Sequence, residues 1–296
     1  MPQARSKKQR NDKYYTCSEH IELCVEALNQ VFPKHTAIYD PCAGDGRWSQ
    51  HFKDFGFKNI FLSDIEPDND YVLQQDFLQA APHDLPHTIF VTNPPFSLLP
   101  RIFNKCADFN PEAICLLVPR SFAHKLSIRR KLSTKYVLLE EIPLPALNFE
   151  NVDGTTYTNK ESRLLTCFQI WVRGKRTDPV VPTEIPYILY NTNTKHRVVD
   201  DQGVVHTYEV PVGDIGAAFT ITTHGSKAGI VKDFQPGAQK ANVNAFVIVQ
   251  EGVDQQKLRS KFENTDFSYF TEAYSTVPCI STEEIICCVE GVDYRL

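Results

Sequence analysis

Short apolar runs alternate with helical patterns from Tyr14 to Val172. The runs Ala37–Tyr39, Ile60–Ser63, Ile89–Thr92, Ile114–Val118, Val137–Ile142 and Leu164–Val172 read as strands. Helices fall between the early ones, at Trp48–Phe55 and Pro100–Phe109, and the spacing of Ile21, Cys24, Val25 and Leu28 predicts one more before the first strand. Thr16 with Glu19 fits a capping box at its start. This alternation predicts an α/β fold with a Rossmann-like, doubly wound sheet. Gly174-Lys175-Arg176-Thr177-Asp178-Pro179 reads as a linker. Beyond it the period shortens. Tyr187–Tyr190, Val204–Val210, Ala217–Thr223 and Ala245–Gln250 read as strands of a smaller, mostly β C-terminal domain. Helices are expected at Asp254–Phe262 and after Ser281, where Ser281 and Glu284 form a capping box. The expected division is a basic disordered tail over 1–11, a catalytic domain over 12–176 and a second domain over 177–296.

At 296 residues, 42% hydrophobic and 23% charged, the chain has the composition of an ordinary globular protein. Its longest apolar stretch, Ala113–Val118, is too short to span a bilayer, so no membrane partner is expected. No signal peptide is visible, and a cytosol-like compartment is expected, in a bacterium or in a phage- or virus-infected cell. The basic tail leaves a nucleus open. The nine cysteines show no C-x-x-C spacing and are read as reduced, mostly buried thiols; no metal is expected. The net charge of −5 does not advertise nucleic-acid binding, but it hides a local excess. From Arg120 to Lys135 there are six Lys or Arg and no acid.

Two motifs carry the chemistry. Tyr39-Asp40-Pro41-Cys42-Ala43-Gly44-Asp45-Gly46 runs from the first strand towards a helix, the context of a nucleotide-type loop. It lacks the Gly-Lys-Ser/Thr of a phosphate loop. Acids at 40 and 45 would repel a pyrophosphate and suit a ligand with positive charge, which favours S-adenosylmethionine over NAD or ATP. The second motif, Asn93-Pro94-Pro95-Phe96, ends the strand Ile89–Thr92, because proline cannot donate to a ladder. An Asn carboxamide on a stiff turn beside an aromatic ring suits a flat, amine-bearing base. The amine's lone pair is delocalised. Acceptors for both N–H groups, the Asn93 side-chain oxygen and the Pro94 carbonyl, favour the transition-state geometry.

The pair D-P-x-x-G-x-G and N-P-P-F resembles the γ-class, Taq-type adenine-N6 DNA methyltransferases, over roughly residues 12 to 173. That resemblance implies a methyltransferase sheet followed by a target-recognition domain. It implies that Asn93, Pro94, Pro95 and Phe96 handle the target base, with Phe96 stacking on it. Thr16, in Asp12-Lys13-Tyr14-Tyr15-Thr16, stands where the family carries an N-terminal Thr, although Cys17 replaces the usual Pro. The cofactor set is then Thr16, Asp40, Pro41, Cys42, Gly44 and Gly46 with Asp64, Asp76 and Phe77. Asp64, with Glu66 as the alternative, would bind ribose hydroxyls; Asp76 would accept from the cofactor's adenine amine and Phe77 would pack on its ring. Asp45 is read as a turn residue.

A base inside a duplex must be flipped to reach such a pocket. Phe149, with Tyr157 in reserve, is the candidate for stacking on its second face. Arg120, Lys125, Arg129, Arg130 and Lys227 are candidates for phosphate contacts, with Lys232 beside them. DNA is the expected partner of a monomeric enzyme. RNA adenosine-N6 methylation, including cap-proximal types, DNA cytosine-N4 methylation and a catalytically silent binding module are the alternatives.

Overall fold

The computed structural model describes residues 15–145, 150, 165–191, 195–199, 205–209, 215–239, 243–271 and 278–294. They fall into two compact units. One holds the described residues up to 123 with 127–177; the other holds 124–126 and those from 178 onward.

The first unit is built on a seven-stranded sheet in the order β3-β2-β1-β4-β5-β7-β6. Its strands are β1 (Ala37–Asp40), β2 (Ile60–Asp64), β3 (Leu73–Gln74), β4 (Thr88–Thr92), β5 (Ala113–Pro119), β6 (Tyr136–Pro143) and β7 (Thr166–Arg173). All pairings are parallel except those of β7, which runs antiparallel to both neighbours. Every residue of β4 is buried, as are Ala113–Val118 of β5. A strand covered on both faces needs a continuous apolar run, and these two have it. Alternate side chains feed two cores. Ile89, Val91, Cys115 and Leu117 meet α1 (Ser18–Val31) and α2 (Trp48–Asp54) on one face. Phe90, Ile114 and Leu116 meet α3 (Leu99–Asp108) on the other. The Rossmann-like, doubly wound sheet expected from the sequence is therefore present.

The capping box expected at Thr16 and Glu19 is absent. The N-cap of α1 is Cys17, which makes no side-chain cap hydrogen bond. Thr16 is turned away to a different partner. The helix is held instead by its buried stripe, Ile21, Cys24, Val25 and Leu28.

The second unit contains a four-stranded antiparallel sheet, β12-β11-β13-β8. Its strands are β8 (Tyr187–Tyr190), β11 (Phe219–Thr222), β12 (Val231–Asp233) and β13 (Asn244–Val249). A hairpin pairs β9 (Lys195–Val199) with β10 (Val205–Glu209). On one face of the sheet Tyr187, Phe219, Ile221 and Val247 pack with Leu258, Phe262, Ile285 and Val289. Tyr187 and Phe219 meet the Phe262 ring edge-on at 5.1 and 5.2 Å. The helix Gln255–Glu263 starts under Asp254, whose carboxylate accepts from two backbone N–H groups. The helix Thr282–Val289 starts with the capping box expected at Ser281 and Glu284. The C-terminal part is thus mainly β, as expected. Among the described residues no helix is long and apolar enough to cross a membrane.

Phe90 in β4 is fully buried and touches the rings of Tyr39, Phe77 and Phe109. Phe90→Ala should cost about 3–5 kcal/mol of stability, read from urea unfolding.

Candidate active site

β1 and β4 are neighbours, yet the chain goes from β1 to β2 on one side and from β4 to β5 on the other. The loops after them part, and a crevice opens at the carboxyl ends of the strands, where such sheets bind ligands. A cavity of about 880 Å³, counted out to open solvent, lies there. Residues 41–45 after β1, 64–66 after β2, 76–78 after β3, and Asn93 and Pro95 after β4 line it, with Tyr15 and Thr16 from the N-terminal segment.

The loop after β1 is held from both ends. Asp40 Oδ1 accepts the Cys42 N–H at 3.1 Å. Asp64 Oδ2 accepts the Gly44 N–H at 2.8 Å, and its Oδ1 accepts the Glu66 N–H at 2.8 Å. One carboxylate thus ties two loops together through charge-assisted bonds. Gly44 and Gly46 have φ of +58° and +77°, which side-chain-bearing residues rarely adopt. Gly44 lines the cavity and Gly46 does not. A Cβ on Gly46 would lie 2.6 Å from the Tyr71 ring, whose hydroxyl donates to the Asp45 carbonyl at 2.9 Å. Tyr71, a residue to which nothing in the sequence draws attention, occupies the space that Gly46 leaves.

Among the described residues four acids line the cavity, Asp45, Asp64, Glu66 and Asp76, against one guanidinium, Arg47. Asp40 is not among them. It is 1% exposed. Burial first, and then the nearby Asp64, raises its pKa to about 7, against the Thr92 hydroxyl and the Cys42 amide. The acid expected to meet a ligand at 40 supports the loop from below, and the sign of the cavity rests on the other four. Asp45 is more than a turn residue: Arg47 Nη2 donates to its Oδ2 at 2.9 Å and Arg47 Nε at 3.0 Å. Arg47 Nη1 reaches Glu150 Oε2 at 2.7 Å and the Thr16 carbonyl at 3.1 Å. Burial works against the charge on Arg47, and the bonds to Asp45 and Glu150 more than offset it. The guanidinium also lies over the Tyr15 ring, 4.6 Å from its centre.

β4 stops at Thr92, and Asn93 and Pro95 enter the cavity wall. Asn93 Nδ2 donates to Thr16 Oγ1 at 3.1 Å, which fixes how the carboxamide is turned. Pro94 is buried. Pro95 caps a short 3₁₀ turn, Phe96–Leu98. Phe96, expected to stack on the target base, is half-buried, packs against both cores of the sheet and is not among the residues lining the cavity. Asp76 is exposed at the rim, its Oδ1 accepting the Leu78 N–H at 3.0 Å. Phe77 is 3% exposed and stacks on Phe109 at 5.5 Å, yet it also reaches the cavity wall.

No family model and no curated protein matches the chain in sequence. Solved structures resemble it at low identity. One, from Pyrococcus horikoshii and described as a candidate RNA methyltransferase, is 12% identical, with 57% of this chain and 90% of that one covered and a TM-score of 0.44. The 23S rRNA methyltransferase ErmE is 13% identical over 55% of this chain and 70% of that one, TM-score 0.39. A modification subunit of a candidate type I restriction enzyme from Vibrio vulnificus is 13% identical over 58% and 48%, TM-score 0.42. At such distances these likenesses assign neither reaction nor substrate to this chain.

The candidate phosphate contacts differ in exposure. Arg129 is not the surface residue expected: it is 2% exposed, and its carbonyl accepts from Arg176. Such burial keeps its guanidinium from a phosphate backbone in solvent. Arg120 and Lys125 are half-buried and Arg130 is exposed. Lys227 is exposed on a turn of the second unit. Phe149 and Tyr157 lie outside the described residues, as do residues 1–14. Among the described residues no group of three or more His, Cys, Asp or Glu is arranged to hold a metal ion. Tyr15, Arg47 and Glu150 were not found from sequence. Tyr15 adjoins a motif residue, and Arg47 follows the second glycine of the loop. Nothing local marks Glu150, 103 positions from its partner.

Gly46→Ala should cost about 2 kcal/mol or more, from left-handed backbone and the Tyr71 ring together, seen as a lowered urea midpoint. Asp40 gives a pH signature. Its folded pKa lies above its ordinary 3.8, at about 7. Between those values the folded state keeps a proton that the unfolded chain has lost, so stability falls as pH rises through that window. Asp40→Asn keeps an acceptor for the Cys42 N–H and cannot ionise. Urea unfolding from about pH 4 to about pH 8 should show a shallower loss of stability in the variant; parallel profiles would exclude the assignment.

Proposed function

We propose that this chain transfers a methyl group from S-adenosylmethionine to the N6 amine of adenine in DNA. The observation that carries the reading is the Thr16–Asn93 hydrogen bond inside an acid-lined crevice. It holds one end of a carboxamide that lines the cavity and supports the reading that the other end accepts from the target amine.

The chemistry of the lining fits that cofactor. A surplus of carboxylates favours a ligand carrying a sulfonium and an ammonium and disfavours a pyrophosphate. Asp64 and Glu66, at the end of β2, suit ribose hydroxyls. Asp76 at the rim suits an adenine amine, and Phe77 offers an apolar wall beside it. When bound, S-adenosylmethionine supplies an electrophilic methyl group for in-line attack by the amine. The chain's own part is to hold that amine. Asn93, its Nδ2 tied to Thr16, accepts one N–H through Oδ1, and the Pro94 carbonyl accepts the other. These two bonds draw the nitrogen towards the tetrahedral geometry of the transition state. Pro95 stiffens the turn.

A flipped base needs a second stacking face, and Phe149 is proposed for it. The second unit is proposed to recognise the target, with Lys227 among its phosphate contacts. Arg120, Lys125 and Arg130 remain candidates on their segment. The protein is proposed to act as a monomer and without a metal ion.

Incubation with methyl-labelled S-adenosylmethionine and either mixed-sequence duplex DNA or RNA, followed by nucleoside analysis, tests the reading. N6-methyladenine in DNA is expected. Label in RNA alone moves the reading to RNA, and N4-methylcytosine moves it to the other amine. Asn93→Ala should slow transfer at least about 100-fold and leave cofactor affinity within about threefold by calorimetry.

A further inference from the structure

Arg47 touches the loop after β1, the N-terminal segment at Tyr15 and Thr16, and Glu150. Its guanidinium grips Asp45 in the loop after β1 and reaches Glu150 and the Thr16 carbonyl with a single nitrogen, Nη1. Thr16 is the residue that orients Asn93. Glu150 is bridged to the N-terminal segment by paired backbone bonds, Tyr15 N–H to the Glu150 carbonyl at 3.1 Å and Glu150 N–H to the Tyr15 carbonyl at 3.0 Å. Tyr15 in turn lies under the guanidinium and donates through its hydroxyl to Asp68, whose own N–H bonds to the Gly44 carbonyl at 3.0 Å. The loop after β1 and the segment behind Asn93 are therefore tied by two routes, and Arg47 is the side chain that spans them.

We propose that Arg47 is a positioning residue that couples the cofactor loop to the orientation of Asn93, so that a ligand on the loop steadies the amine-binding side. This rests on the reading above, that the crevice takes S-adenosylmethionine. A planar fork with fixed donor directions suits this task, whereas a lysine ammonium supplies charge without the geometry. Glu150 is the arm on the target side. Removing its charge loosens Nη1 while leaving the Asp45 grip in place.

The test uses the full chain and its Arg47→Lys and Glu150→Gln variants. S-adenosylhomocysteine binding is measured by calorimetry, amide hydrogen exchange of residues 15–17 and 150 with and without that ligand, and single-turnover methyl transfer to DNA. In the unaltered protein the ligand should slow exchange of the Tyr15 and Glu150 amides by about tenfold. Glu150→Gln should bind the ligand within about twofold of normal, lose that ligand-dependent protection and transfer methyl about tenfold more slowly. Arg47→Lys should weaken ligand binding about tenfold and lose the protection as well. The proposal is overturned if both variants keep the protection. It is also overturned if binding, rate and melting temperature fall together in Glu150→Gln, as for a brace that only stabilises the fold. Should Arg47→Lys fail to fold, Glu150→Gln decides alone. If the unaltered protein methylates no nucleic acid, the function proposed above fails while exchange still judges the coupling.

Discussion

β1 and β4 lie side by side while their connections leave in opposite directions, and everything proposed for this chain depends on the crevice that results. Backbone ladders hold the two strands in register, Ala37 to Thr88 through Tyr39 to Phe90. Asp64 then fixes the width of the opening by taking an N–H from each of two loops. Removing that carboxylate would free a buried donor at Gly44 and a part-buried one at Glu66, which costs more than two ordinary surface bonds. The crevice is thus set by the sheet, and its charge by side chains on the rims.

Those rims divide the electrostatic work. Asp40, deep under the loop, supports backbone and gives up part of its charge. Among the described residues the lining acids outnumber the cations, and Arg47 is occupied with Asp45 and Glu150. A bound sulfonium or ammonium would meet carboxylates with little competition from Arg47. The same crevice would repel a nucleic-acid backbone; Arg130 and Lys227 are exposed away from its lining, where Arg129 is buried.

What could be read in the sequence was local. The strands of the first unit follow from continuous apolar runs, and the two motifs sit at the strand ends where their own glycines and prolines put them. The carboxylate at 64 was legible because it ends a strand. The two-residue β3, with both side chains exposed, leaves no hydrophobic signature, and β9 is too polar to read as a strand. Thr16 was misread as a cap because a capping box and a tertiary hydrogen bond use the same hydroxyl; only the fold decides between Glu19 and Asn93. Arg129 was misread as surface because charge runs usually are. Here one member of the run turns inwards, a choice that no local pattern announces. The Arg47–Glu150 pair was illegible for the plainest reason: its partners meet only after the sheet has formed.

The claim at the centre is that this crevice takes a cationic methyl donor. Calorimetric titration of the full chain with S-adenosylmethionine, set against ATP and NAD under the same conditions, tests it most directly. One-to-one binding of S-adenosylmethionine, with ATP and NAD at least about tenfold weaker for want of any surplus cation in the cavity, is the result expected. Heat from ATP or NAD with none from S-adenosylmethionine would contradict the account.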